Sequence, residues 1–257
     1  MRNLTTGYAL LAAWLSLPIA ADSEEPTAAQ LADLQAAIAQ PGAPAGDRLK
    51  RAVTAKENEP LAREMVKTAR RLYRQGERGN PLRNLLYYLQ GRSGDETLLL
   101  DGAYLKDYSE LLYEICEAEL GGMTGWGLAT EYRPLLLYLR AHPEDRDLRE
   151  RTIRLARRFA DISKLPPRPE KEKPGDSWPH RSWQQVSFSW RVLHSLGVLK
   201  DGMTFADAKA VLGAPTSTQV HREGTTYTWH VPTGFRSFTG IHAQQTNDGL
   251  KFHNLSR

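Results

Sequence analysis

A chain of 257 residues, 40% hydrophobic and 25% charged, is long enough for one large domain or two small ones, each with its own core. Its formal charge of +4 comes from 34 basic and 30 acidic side chains interleaved along the chain, which serves solubility first and is only a weak pull toward anionic partners. Cys116 is the only cysteine, so an intramolecular disulfide is excluded and packing alone must hold the fold.

The first 21 residues have the layout of a secretory signal. Arg2 supplies a positive start, Tyr8 to Ile19 is apolar apart from Ser16 and Pro18, and Ala20-Ala21 offers small residues ahead of Asp22-Ser23-Glu24-Glu25. This predicts a signal peptide over 1–21 and a bacterial protein that is periplasmic or secreted. The alternative is an uncleaved anchor, but a membrane span takes about 20 apolar residues and this run is shorter. No cysteine near the cleavage point could carry a lipid anchor, and no later run is apolar enough to span a membrane.

From 27 to 164 the pattern is helical. Leu61, Met65, Thr68 and Leu72 recur at three- and four-residue steps, as do Leu148, Thr152, Leu155, Phe159 and Ile162, which places each set on one helix face. Pro60, Pro81, Gly91, Gly121-Gly122 and Pro143 punctuate the runs. Leu61 with Ala69-Arg70-Arg71-Leu72 aligns with Leu148 and Ala156-Arg157-Arg158-Phe159 at a constant offset. Pro81–Leu89 and Pro134–Leu139 are both proline-led and Leu/Tyr-rich. Duplicated helical hairpins would produce this, and so would shared composition.

Residues 165–182 contain Leu165-Pro166-Pro167-Arg168-Pro169-Glu170-Lys171-Glu172-Lys173-Pro174-Gly175, which predicts a Pro/charge-rich linker. From 183 onward a helical segment leads into a small module. There Gly202 ends the preceding segment, Thr204 is a good N-cap with Asp207 three residues on, Gly213 suits a helix C-terminus and Pro215 blocks continuation. Strands are expected over 216–222, 225–231, 235–245 and 250–255, with turns at Glu223-Gly224 and Asn247-Asp248-Gly249. The expected class is α+β: an all-α N-terminal domain, then a small helix-on-antiparallel-sheet module over 183–257.

Leu199, Gly202-Met203-Thr204, Val211-Leu212-Gly213, Pro215-Thr216, Tyr227 and Trp229 together resemble the SmpA/OmlA (BamE-like) family. The resemblance covers about residues 196–255, and Gly202, Thr204, Gly213, Pro215 and Trp229 are its structural positions. It implies a scaffolding or binding part in the bacterial envelope. The same small fold also serves proteinaceous inhibitors.

Candidate chemistry is sparse. With a Glu223-Gly224 hairpin, Val220 would face Tyr227, and Val220, Tyr227, Trp229, Ile241 and Phe252 would point to the core. His221, His230, His242 and His253 would then share the opposite face, either as a weak metal site or as solvated polar residues. Glu110, Glu114 and Glu117 form an acidic stripe and Arg151, Arg154 and Arg158 a basic one. These are either solvated faces and mutual partners or, for the carboxylates, acid/base groups of a hydrolase. Gly121-Gly122-Met123-Thr124-Gly125-Trp126-Gly127 lacks the ending of a phosphate loop. Trp178, Trp183 and Trp190, with Phe188, form an aromatic cluster that suits core packing or a ligand.

The resulting expectation is an exported envelope protein with a non-catalytic binding or assembly role and no cofactor. Its partner would be a protein or another envelope component and not nucleic acid. Trp183, Trp190, Tyr227 and His230 are candidate contacts. The alternatives are a hydrolase using Glu110 and Glu114, or an inhibitor presenting Pro232-Thr233-Gly234.

Overall fold

Helices begin where the sequence supplies caps or prolines. In the computed structural model, which describes residues 25–40, 44–52, 59–90, 104–122, 132–164, 178–222, 224–230 and 240–253, Thr27 and Gln30 form a reciprocal capping box ahead of α1 (Ala28–Ala39). Then come α2 (Pro44–Ala52), α3 (Glu59–Arg74), α4 (Asn80–Leu89), α5 (Tyr104–Gly122), α6 (Arg133–Ala141) and α7 (Arg146–Ala160). Pro81 and Pro134 occupy the first turns of α4 and α6, where a missing N–H costs nothing. Asp145 caps α7 by accepting the Leu148 N–H at 3.4 Å. The predicted signal segment, residues 123–127, residues 165–177 and the 232–234 loop lie outside the described residues.

Sequence neighbours pack together in pairs: α1 with α2, α3 with α4, α5 with α6, and α7 with α8 (Trp178–Ser195). The similar stretches noted in the sequence fall on α3 and α7, each the first of its pair, and on α4 and α6, each the second. Polar side chains tie successive pairs. The Tyr108 hydroxyl of α5 donates to the Leu86 carbonyl of α4 at 2.8 Å, fully buried. Arg149 of α7 donates to the carbonyls of Leu139 and Leu196, at 3.3 and 2.8 Å, and so places a cation at the ends of both α6 and α8.

α8 corrects the expected boundaries. The helix begins at Trp178, inside the stretch expected to be a linker, because Pro179 in a first turn does not stop a helix. It also packs against α5, α6 and α7.

The C-terminal module is α9 (Phe205–Leu212) on a four-stranded antiparallel sheet. Its strands are β1 (Ser217–His221), β2 (Gly224–His230), β3 (Gly240–Thr246) and β4 (Gly249–His253), in the order β1-β2-β3-β4. Thr204 caps α9, accepting the Asp207 N–H at 3.1 Å while its hydroxyl donates to the Asp207 carboxylate at 2.7 Å. Ala208 and Leu212 are buried, and Phe205 stacks on Tyr227 with ring centres 4.1 Å apart. One continuous buried cluster runs from Leu34 in α1 to Leu250 in β4, so the module's core is continuous with that of the helices.

Gly213 is the junction. Its carbonyl accepts from the Trp229 indole at 3.0 Å, and its backbone sits at φ 77°, ψ −167°, a region only glycine occupies readily. A Cβ there would overlap the Asp161 carboxylate, which follows α7 and is held by the Ser163 N–H, the Ser163 hydroxyl and Lys164. Gly213→Ala is therefore expected to lower stability by about 2–4 kcal/mol, combining dihedral strain and overlap. Denaturant titration checks this, and adding Asp161→Ala should recover only the overlap.

Burial pushes the Tyr104 phenol up to about 12, against about 10 in an unfolded chain. A raised folded-state value means that this stabilisation is complete below pH 10 and is lost as pH rises toward 12. Tyr104→Phe should flatten the fall of melting temperature across that window.

Candidate binding surface

The sheet has two faces of different chemistry, set by strand alternation. On the face toward α9, Thr218, Tyr227, Ala243 and Phe252 form one row across the strands, with Trp229 opposite Ile241 in the next. On the other face Ser217, Thr228, His242 and His253 form a row, and Gln219, Thr226, Gln244 and Lys251 the row beside it. This second face is a lattice of hydroxyl, amide and imidazole groups with one ammonium, Lys251, and no carboxylate in either row.

Thr228 Oγ1 lies 3.1 Å from His242 Nδ1, which fixes the imidazole by one nitrogen. The other nitrogen, Nε2, stands 3.7 Å from where a Cβ of Gly240 would be, and His230 Cδ2 is 3.9 Å from the same point. The bare glycine thus leaves a notch between two imidazoles. The His230 N–H donates to Thr216 Oγ1 at 3.1 Å. His221 sits at the end of β1 opposite Gly224, away from this group, while His253 pairs with His242. Among the described residues no group of three or more His, Cys, Asp or Glu side chains is arranged to hold a metal ion.

Three expectations need correction or qualification. Val220 lies opposite Thr225 rather than Tyr227, because Gly224 pairs with His221 as a strand residue instead of forming the turn. The slip preserves its face but carries it past the Phe205–Tyr227 stack, leaving it 80% exposed. Trp190 is 3% exposed, and its indole donates to the Ala160 carbonyl at 3.1 Å, so it is a packing residue that a partner cannot reach. Phe188 is likewise buried, edge-on to Tyr132 at 5.0 Å. The side chains of Trp178 and Trp183 lie outside the described residues.

Glu114 and Glu117 of the α5 stripe are engaged, as is Glu119 outside it, while Glu110 lies near the Tyr138 phenol and its charge helps to raise that group's pKa. Glu114 lies between Arg70 and Arg74 of α3, at 3.5 and 3.6 Å, and Glu119 meets Arg78 at 3.2 Å. Glu117 accepts from the Tyr113 hydroxyl at 2.7 Å, and burial together with that bond pushes the Tyr113 phenol up to about 12. The basic stripe of α7 does not face this acidic one as a set. Arg151 pairs with Asp147 and covers the Tyr113 ring at 4.9 Å, Arg154 pairs with Glu150, and Arg158 lies over Phe159. Cys116 is buried, and desolvation drives its thiol pKa far above the ordinary value, so it offers no thiolate.

Two features escape a reading of the sequence alone. One is the pair of sheet margins, which differ in what covers them. The other is Asp201, whose carboxylate accepts the Phe252 N–H at 2.9 Å. Only the uncharged run Thr216–His221 hints at the first. Among the described residues no helix is long and apolar enough to cross a membrane. No protein-family model matches the sequence, and no curated protein or solved structure matches it.

Proposed function

We propose that the protein is an exported component of the bacterial envelope with a non-catalytic role, binding or assembling another protein through its C-terminal module. The supporting observation is the polar face built by Ser217, Thr228, His242 and His253 beside Gln219, Thr226, Gln244 and Lys251 on a sheet backed by α9. Such a face presents hydrogen-bond donors and acceptors on a rigid frame, which suits recognition of polar protein surface. Of the two carboxylates that a hydrolase would use, Glu114 is engaged by Arg70 and Arg74, which favours a structural use of that residue. Thr204 caps α9, Gly213 follows its end and Trp229 fills the core, so these residues serve the frame of the module and not its contacts.

A photo-crosslinking residue at Gln244 tests this in cells that produce the protein. The expected result is an adduct of defined mass in the envelope fraction. Thr228→Ala with His242→Ala should weaken it at least about tenfold, the loss of 1.4 kcal/mol or more expected from two interface hydrogen bonds. The variant should melt with the wild type. No adduct, or an adduct indifferent to the double substitution, overturns the reading. N-terminal sequencing of the same fraction should begin at Asp22, and an intact Met1 start would overturn export with cleavage.

A further inference from the structure

The two margins of the sheet are treated differently. Along β4 the segment before α9 covers the strand. Gly202 N–H donates to the Leu250 carbonyl at 2.8 Å, Leu250 N–H donates to the Met203 carbonyl at 2.9 Å, and Asp201 takes the Phe252 N–H. At the other margin β1 bonds only to β2, and all five of its residues are exposed. Among the described residues nothing covers it. Proteins normally guard such an edge with lysine, proline, a bulge or an inward charge, because its outward N–H and C=O groups template another strand. Ser217-Thr218-Gln219-Val220-His221 carries none of these guards. Val220, the most exposed of the described large hydrophobic residues at 80%, lies on the face of Tyr227 and Trp229.

We propose that β1 is a self-association edge, pairing antiparallel with β1 of a second copy of this chain about a twofold axis at Gln219. The strand is complementary to itself in that register. Gln219 meets its own counterpart, Thr218 meets the second copy's Val220, and Ser217 meets the second copy's His221. A threonine opposite a β-branched apolar residue is a favourable cross-strand pair. The nearest charged side chain, Arg222, falls at opposite ends of the two-strand ribbon, so no like charges meet. The contact is isologous, as a twofold requires, and it places Val220 beside the Thr218 methyl of the second copy in place of water. The proposal stands apart from the polar-face reading, because it uses the margin of the sheet and needs no second protein.

The test uses the purified chain. Sedimentation equilibrium should show a concentration-dependent dimer, and Val220→Lys should return it to monomer with the melting temperature unchanged. Cys116 is buried, so an introduced thiol is the reactive one. Under mild oxidation Gln219→Cys should give covalent dimer roughly tenfold faster than Thr218→Cys or Val220→Cys alone, because a disulfide needs Cβ atoms about 4 Å apart. A mixture of the latter two variants should crosslink to each other. A wild-type monomer at its highest soluble concentration overturns the proposal, as does a dimer that survives Val220→Lys. So does a Thr218→Cys chain that crosslinks to itself as fast as Gln219→Cys. A monomer whose introduced thiol at 219 captures only foreign polypeptide also overturns it, assigning the edge to a heterologous strand.

Discussion

The carbonyls of Ala160 and Gly213 each accept an indole N–H, from Trp190 and Trp229 respectively, and Asp161 brings the end of α7 against Gly213 at the end of α9. A buried indole needs a partner for its N–H, and the last carbonyls of a helix need donors; each of these bonds satisfies both at once. Because Gly213 has no side chain, the Asp161 carboxylate can occupy the space beside it. The orientation of the sheet on the helical body, and hence which face and margin meet solvent, follows from that contact.

Within the helices, charge is used for alignment. Arg149 reaches the C-terminal carbonyls of α6 and α8, while Glu114 draws in Arg70 and Arg74 from α3. Asp145 serves three neighbours, capping α7, accepting from the Tyr138 hydroxyl at 3.0 Å and facing Lys106 at 3.8 Å. Partly exposed ion pairs of this kind each add little stability, on the order of 1 kcal/mol or less. Their larger contribution is to the register between helices whose apolar faces would otherwise slide.

Much of this was legible in the sequence wherever the information is local. Thr204, Asp207 and Gly213 mark the bounds of α9, and strand alternation separates Tyr227 and Trp229 from His230 and His242 without knowledge of strand order. The misreadings concern residues whose role is decided by a distant neighbour. Gly224 resembles a turn glycine, yet it lies in β2 opposite His221, where a Cβ would press on the Gln245 carbonyl of β3, and Val220 accordingly sits opposite Thr225. Trp190 resembles a ligand platform until the end of α7 is seen against it. The expected linker over 165–182 overlaps α8 from Trp178, because the proline and charge composition that marks the stretch does not show where a helix starts.

Capping one side of a sheet and not the other also limits growth. A strand assembly can lengthen only if every added unit brings a fresh edge. Here the segment Asp201–Met203 acts as a terminator along β4, leaving β1 as the open edge of the sheet among the described residues. Any pairing through β1 therefore uses up the open edge of the described sheet and ends at two strands' contact. A protein with this asymmetry can carry an unguarded β-strand without risking a fibre.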